Sequence, residues 1–370
     1  MCGGKIDDMK QNALGEMKAR TMAWRYGHPA RGLKVIGVAG SKGKTTTALL
    51  LNELLLESGA KVAVFTNQIS LLDGKKLTGA YDTSAEALQQ QLQAVKKKGA
   101  YYVIIEITEA LLKTHTLPTL PIEMSIITSE SESASALLEH PANSSVIPTG
   151  FNTEGIRVAP HQLISFGTDE GSEAHIIRVA ERRKGTEVDL VIDHQTKIAV
   201  ATYLVGQANA LNVAAAASAA YVLAIGTEHF EEGVARLESV AGNYEYLTLE
   251  NAVYDAVVDG AYTLASVELI LGSAKKLAKR RLLVVADSTV SDEVYPAVSQ
   301  IADRLIVVGS GPELPGVEMV ATLQEATGIA MRAAKKDDLL LLIGKEVAAM
   351  QPIGVTYAQK LIGEKQTDEQ

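Results

Sequence analysis

Apolar positions in this chain fall into two rhythms. Runs 33–38, 61–65, 101–107 and 124–128 are short and mostly apolar, whereas 44–58 and 84–98 are longer segments whose apolar residues fall in helical patterns. Strand-length apolar runs separated by helix-length amphipathic segments predict a parallel sheet covered on both faces. Residues 1–32, with Ala, Met and Trp24 at loosely helical spacing and Lys18, Arg20, Arg25 and Arg31 towards the end, predict a short helix leading into the first core strand.

The rhythm changes over 160–204, where short apolar segments at 162–166, 175–180, 187–192 and 197–204 are separated by turn residues. This predicts a small β insertion before an Ala-rich helix. From residue 242, strands at 252–258, 281–286, 304–308 and 339–343 alternate with helices again, which predicts a second, Rossmann-like α/β domain. The expected organisation is an extension over 1–32, a central domain over 33–238 and a C-terminal domain over 239–370, with a frayed tail from Glu364.

Composition adds limits. The 370 residues are 47% hydrophobic and 21% charged, which is ordinary globular composition, and a net charge of −9 provides no basic field for nucleic acid or anionic membranes. The single cysteine, Cys2, excludes an intrachain disulfide framework and a cysteine metal cage. The longest membrane candidate, 213–225, is short and Ala-rich, and Lys5, Asp7, Asp8 and Lys10 stand where a signal peptide needs its apolar stretch. These features predict a cytoplasmic protein with small-molecule substrates.

Candidate chemistry begins between the first strand and helix, where residues 37–47 read Gly-Val-Ala-Gly-Ser-Lys-Gly-Lys-Thr-Thr-Thr. A Gly-rich loop entering a helix turns successive N–H groups, and the positive end of the helix dipole, towards one anion. Gly40, Ser41, Lys42, Gly43, Lys44, Thr45 and Thr46 form this candidate phosphate cradle. Lys44 is expected on the terminal phosphates and Thr45 on a bridging magnesium ion, which predicts ATP or GTP as ligand. Val38 stands where the general P-loop pattern has its first glycine, so a plain strand-to-helix turn is the alternative, and a simple P-loop ATPase or kinase is a less favoured reading.

Read onward, the chain resembles the Mur ligase family, especially the enzymes that add the third residue to UDP-N-acetylmuramoyl-dipeptide. That family's loop reads Gly-x-Thr-Gly-Thr-Asn-Gly-Lys-Thr-Thr, matched here at Gly37, Gly40, Gly43, Lys44, Thr45 and Thr46. Glu106 ends an apolar strand where the family keeps a magnesium-binding glutamate. Asn209 and Asn212 resemble a Gly-x-x-Asn-x-x-Asn segment whose asparagines approach adenine, and Asp259 resembles an aspartate that contacts the ribose. Residues 337–346 look like the late strand ending in Gly-Lys-Gly-His-Glu. Each has a plainer reading: Glu106 as a strand-end carboxylate, the asparagines as helix caps, Asp259 as partner of a surface base.

The resemblance implies ATP and magnesium, a muramyl-peptide acceptor and an amino acid as substrates, and amide formation through an acyl phosphate. It also exposes departures. No lysine occurs between Lys113 and Lys184 to form the family's carbamate; Glu106-Ile-Thr-Glu lacks the following histidine; Tyr262 replaces another; and Gly242-Asn-Tyr-Glu loses an arginine. Thr128-Ser-Glu-Ser-Glu-Ser replaces the Thr-Asn and Asp-His signature, and Glu109, Glu130 and Glu132 are the substitute carboxylates to weigh against a solvated acidic loop. Two functions follow: an ATP-dependent acid–amino acid ligase acting on a peptidoglycan precursor, or a catalytically impaired, nucleotide-binding paralogue that serves a protein partner.

Overall fold

The computed structural model describes residues 3–349 apart from 79–80, 158–161, 183, 248, 250–251 and 310–313, so Cys2 and the tail from Glu364 lie outside the described residues. The chain forms two compact units, one of Met1–Ala180, Glu187–Thr202 and Ala208–Leu237, the other of Glu181–Thr186, Tyr203–Gln207 and Glu238–Gln370. Among the described residues, no helix is long and apolar enough to cross a membrane.

The first unit opens with α1 (Gly3–Arg25) and continues β1 (Lys34–Ala39), α2 (Lys44–Glu57), β2 (Val62–Phe65), β3 (Ser70–Leu72), β4 (Lys75–Lys76), α3 (Ala85–Lys97), β5 (Tyr102–Glu106) and α4 (Glu109–Lys113). Then come β6 (Ile122–Ile127), α5 (Glu132–Glu139), β7 (Ser144–Pro148), β8 (Gln162–Gly167), β9 (Ala174–Arg182), β10 (Gly185–Ile192), β11 (Thr196–Thr202), α6 (Gln207–Val222) and α7 (Phe230–Arg236). Their sheet has eleven strands in the order β11-β10-β9-β8-β7-β6-β1-β5-β2-β3-β4. β1 is central and runs parallel to both β5 and β6, with Val38 level with Glu106 and with Ile126.

Both faces of this central region are covered, which is why its strands are continuously apolar. Val35, Ile36 and Val38 are completely buried, and a core of Leu88, Leu92, Val95, Leu111 and Leu137 packs one face. Across the sheet α2 is buried on all sides, with Leu50, Leu51, Leu54 and Leu55 fully enclosed. Each such leucine contributes about 1.5–3 kcal/mol by burial. Helix α7 reaches α2 closely because of Gly233, where a Cβ would lie 3.1 Å from the Leu54 Cα.

The β insertion is not a separate layer. β8 pairs parallel with β7, and β9 with β8, so the expected small strands extend the main sheet. Helix α1 is longer than a short lead-in. It turns Ala19 and Ala23 inward, and it presents Leu14 (48%), Met17 (59%) and Trp24 (74%) to solvent.

The second unit contains β12 (Glu245–Tyr246), β13 (Asp255–Asp259), α8 (Leu264–Leu277), β14 (Leu282–Ala286), α9 (Val294–Ile301), β15 (Arg304–Val308), β16 (Val317–Val320), α10 (Leu323–Ala333), β17 (Leu339–Ile343) and α11 (Lys345–Ala349). Its sheet order is β12-β13-β17-β14-β15-β16, parallel except for β12. Two apolar layers clothe it, one containing Val267, Leu271 and Val294, the other Ala326, Ala330 and Met331.

Asp338 anchors the entry to β17. Its buried carboxylate accepts hydrogen bonds from Arg281 (2.6 Å), Arg280 (3.3 Å) and the Lys335 N–H (2.8 Å). Burial alone would raise this carboxyl, but the Arg281 and Lys335 hydrogen bonds and the two guanidinium charges outweigh it and hold it below its ordinary range. Its stabilisation is therefore complete above the unfolded carboxyl value of about 4 and is lost as pH falls through the lower folded value. Asp338→Asn is expected to cost about 2–3 kcal/mol near neutrality. Denaturant titrations of both proteins should show that gap narrowing towards acid.

Candidate functional site

β1 delivers residues 40–43 to the C-terminal edge of the first sheet, beside the ends of β5 and β6. Gly40 has φ 143° and Gly43 has φ 80°, the latter as the left-handed N-cap of α2. Glycine enters this region without the Cβ penalty. A Cβ on Gly40 would come 2.3 Å from Thr128 Oγ1, and one on Gly43 would come 2.4 Å from Asn212 Oδ1, so the loop is held against its neighbours on two sides. The first turn of α2 carries no acidic residue to oppose an anion at its N-terminus.

Lys44 lies back along this loop, donating from Nζ to the Gly40 carbonyl (2.7 Å) and standing 3.8 Å from Glu106 Oε1. Glu106, only 3% exposed at the end of β5, is held at Oε2 by the Thr45 hydroxyl (3.0 Å) and the Asn67 N–H (3.2 Å). These partners let a carboxylate sit in the interior. Tyr81 closes this end of β5, stacking on Phe65 with ring centroids 5.9 Å apart and donating to the Glu106 backbone carbonyl (3.5 Å). Burial, and then the Glu106 charge, push the Tyr81 phenol well above its usual range, so it acts as a neutral donor.

Thr128 and Ser129, read from sequence only as a departure, brace the loop. The single Thr128 hydroxyl proton is shared between the Ala39 carbonyl (3.1 Å) and that of Lys42; Ser129 Oγ accepts from the Lys42 N–H (3.0 Å) and meets the Ser41 hydroxyl at 3.0 Å. The signal that finds them is strand order, because β6 lies beside β1 and hydroxyls just past its end fall against the loop.

Of the substitute carboxylates, Glu109 is the one that feels the loop. Ser131 caps α5 by accepting from the Ala134 N–H, and Ser133 in the first turn donates to Glu109 (3.1 Å). Burial raises the Glu109 carboxyl, but its own backbone N–H, Ser133 and the Lys44 charge bring it below the ordinary value. Glu130 and Glu132 are exposed.

Asn209 and Asn212 lie within the first two turns of α6 rather than capping it. Asn212 Nδ2 donates to Asn209 Oδ1 (3.1 Å), and Asn212 Oδ1 accepts from Thr47 (3.4 Å). Asp259 belongs to the second unit, where it ends β13 and accepts from the Tyr244 and Ala261 N–H groups, each at 2.8 Å. It therefore serves backbone donors at the end of its strand. Ser41 and Lys42 are exposed on the loop, while Thr46 is buried beneath it.

The donor set suits magnesium and a polyphosphate. Thr45 and Glu106 present hard oxygen atoms from adjacent strand and helix ends, and among the described residues no group of three or more His, Cys, Asp or Glu forms a self-sufficient cage. Magnesium takes one or two protein oxygens and completes its octahedron with phosphate and water.

Residues 38–133 match the Mur ligase middle domain. The UDP-N-acetylmuramoyl-L-alanyl-D-glutamate–2,6-diaminopimelate ligase of Clostridium botulinum is 23% identical over 86% of this chain and 74% of its own length. The corresponding ligase 1 of Clostridium acetobutylicum is 24% identical, over 89% and 76%. Among solved structures, a ligase of the same description covers 95% of this chain and 82% of its own with TM-score 0.66 and 18% identity. Folylpolyglutamate synthetase from Lactobacillus casei covers 91% and 94% with TM-score 0.70 and 16% identity.

Proposed function

We propose, from the premise that this chain belongs to the Mur ligase family, that it is an ATP-dependent carbon–nitrogen ligase joining an amino acid to a carboxylate of a peptidoglycan precursor. The observation that carries this reading is the convergence of Lys44, Thr45 and Glu106 at the N-terminus of α2. The loop N–H groups and the helix dipole hold the β- and γ-phosphates, and Lys44 leaves the Gly40 carbonyl to meet the terminal phosphate. Thr45 and Glu106 would hold magnesium, which would supply neutralisation of phosphate charge. By the family resemblance Asn209 and Asn212, which hydrogen-bond each other within α6, would approach the adenine. An acceptor carboxylate oxygen takes the γ-phosphoryl group as the β,γ P–O bond breaks and ADP leaves, and the amine then attacks the acyl carbon, expels inorganic phosphate and gives its proton to solvent. ATP and UDP-linked precursors as substrates put this reaction in the cytoplasm.

A second reading is nucleotide binding without ligation, in service of a protein partner. It is favoured by Tyr262, which stands where the resemblance expects a histidine and carries Lys345 Nζ 3.6 Å from its ring centroid, and by the absence of lysine between Lys113 and Lys184. One experiment separates the two. Calorimetry measures Mg–ATP binding, and the same protein is then assayed for phosphate release with UDP-N-acetylmuramoyl-L-alanyl-D-glutamate and amino acids, including 2,6-diaminopimelate, with the amide product read by mass spectrometry. Substrate-stimulated release with product establishes the ligase. Binding without turnover establishes the second reading, and no binding overturns both.

A further inference from the structure

We propose that Asn212 is a positioning residue for the phosphate loop itself, acting on the polyphosphate through Gly43 independently of any nucleobase. The inference rests on the reading of residues 40–46 as a nucleotide phosphate site.

Three observations carry it. Asn212 is 93% buried, and both of its amide atoms have protein partners, Oδ1 on the Thr47 hydroxyl and Nδ2 on Asn209 Oδ1. Its Oδ1 fills the space a Gly43 side chain would take, at 2.4 Å from the ideal Cβ position. Gly43 is in turn the left-handed N-cap of α2 and receives the Thr47 N–H at its carbonyl (2.8 Å). Asn212, Thr47 and Gly43 therefore form a closed circuit beneath the point where α2 aims its first N–H groups.

Removing the Asn212 amide opens a void under Gly43 and leaves the buried Thr47 hydroxyl without its acceptor. The turn is then free to settle, and the N–H groups after it lose their common aim. Displacement of a binding group by a fraction of an ångström is enough for a loss of about tenfold or more. Because the displaced groups face phosphate, the loss does not depend on a base being present.

The test uses inorganic tripolyphosphate with magnesium alongside Mg–ATP, titrated by calorimetry into the wild type, Asn212→Ala and Thr47→Val. Thr47→Val keeps the volume at a fully buried site and breaks the circuit from the loop side. Melting temperatures identify the conditions under which every variant is folded. The expected result is that Asn212→Ala weakens both ligands by the same factor, about tenfold or more, and that Thr47→Val weakens both in the same direction. Loss of ATP affinity with tripolyphosphate unchanged would overturn the proposal and leave Asn212 as a base contact. Unchanged affinity for both ligands, or a wild type that binds ATP but not tripolyphosphate, would overturn it too. A wild type that binds neither removes the nucleotide reading itself, which is evident before any variant is compared.

Discussion

Lys44→Ala is expected to abolish measurable Mg–ATP binding, or to weaken it by about 10²-fold, while the protein stays folded. The reasoning starts from what Lys44 touches: its ammonium reaches the Gly40 carbonyl and lies 3.8 Å from the Glu106 carboxylate, and its side chain is 15% exposed. Of the two ammonium groups in the loop, Lys42 is exposed and Lys44 is the one held within the fold beside Glu106. Loss of one preorganised charge stabiliser costs about 10²- to 10³-fold in rate. Phosphate release should fall at least as far as affinity, because charge on the transferring phosphoryl group grows towards the transition state. Unchanged ATP affinity in the folded variant would show that residues 40–46 are only a turn.

Glu106→Gln is expected to keep ATP affinity measurable but to raise the magnesium concentration needed for turnover by at least about 10–100-fold. Glutamine preserves the shape of the side chain, and its carbonyl oxygen still accepts from Thr45 and Asn67, so the end of β5 keeps its geometry. What disappears is the negative charge that a hard divalent cation requires. Magnesium titrations of phosphate release read the change directly. Coincident curves for variant and wild type would assign Glu106 to a structural role at the strand end.

The strand, loop and helix that make this site were readable because they are contiguous. Unbroken apolar residues, glycines and Gly43-Lys44-Thr45 fall within one short segment. Glu106 was readable because a charge that ends an apolar strand is conspicuous. Thr128 and Ser129 were not, because their role depends on β6 lying beside β1, a tertiary adjacency that periodicity does not encode. β7 was hidden for a different reason: it buries Ser144 and Ser145, so its polar residues interrupt the hydrophobic pattern that announces a strand. The extension of the main sheet through β8 and β9 was likewise a matter of pairing rather than propensity.

Fold class was legible in another way, since alternating strands and helices leave few topologies for a parallel sheet. The circuit of Asn212, Thr47 and Gly43 joins positions 165 residues apart and one local turn. The helix pattern suggested a cap for Asn212, and the family resemblance implied a base contact. The fold places its amide against the glycine that turns the phosphate loop.

The outward face of α1 decides how this protein can be followed in solution. Trp24 is the only indole in the chain, and about three-quarters of it already faces water. Its fluorescence therefore starts near the emission of a solvated indole, and denaturation leaves little spectral shift to record. An unfolding curve drawn from tryptophan emission would follow the loosening of one peripheral helix, while far-ultraviolet circular dichroism would follow the sheets on which the site is built.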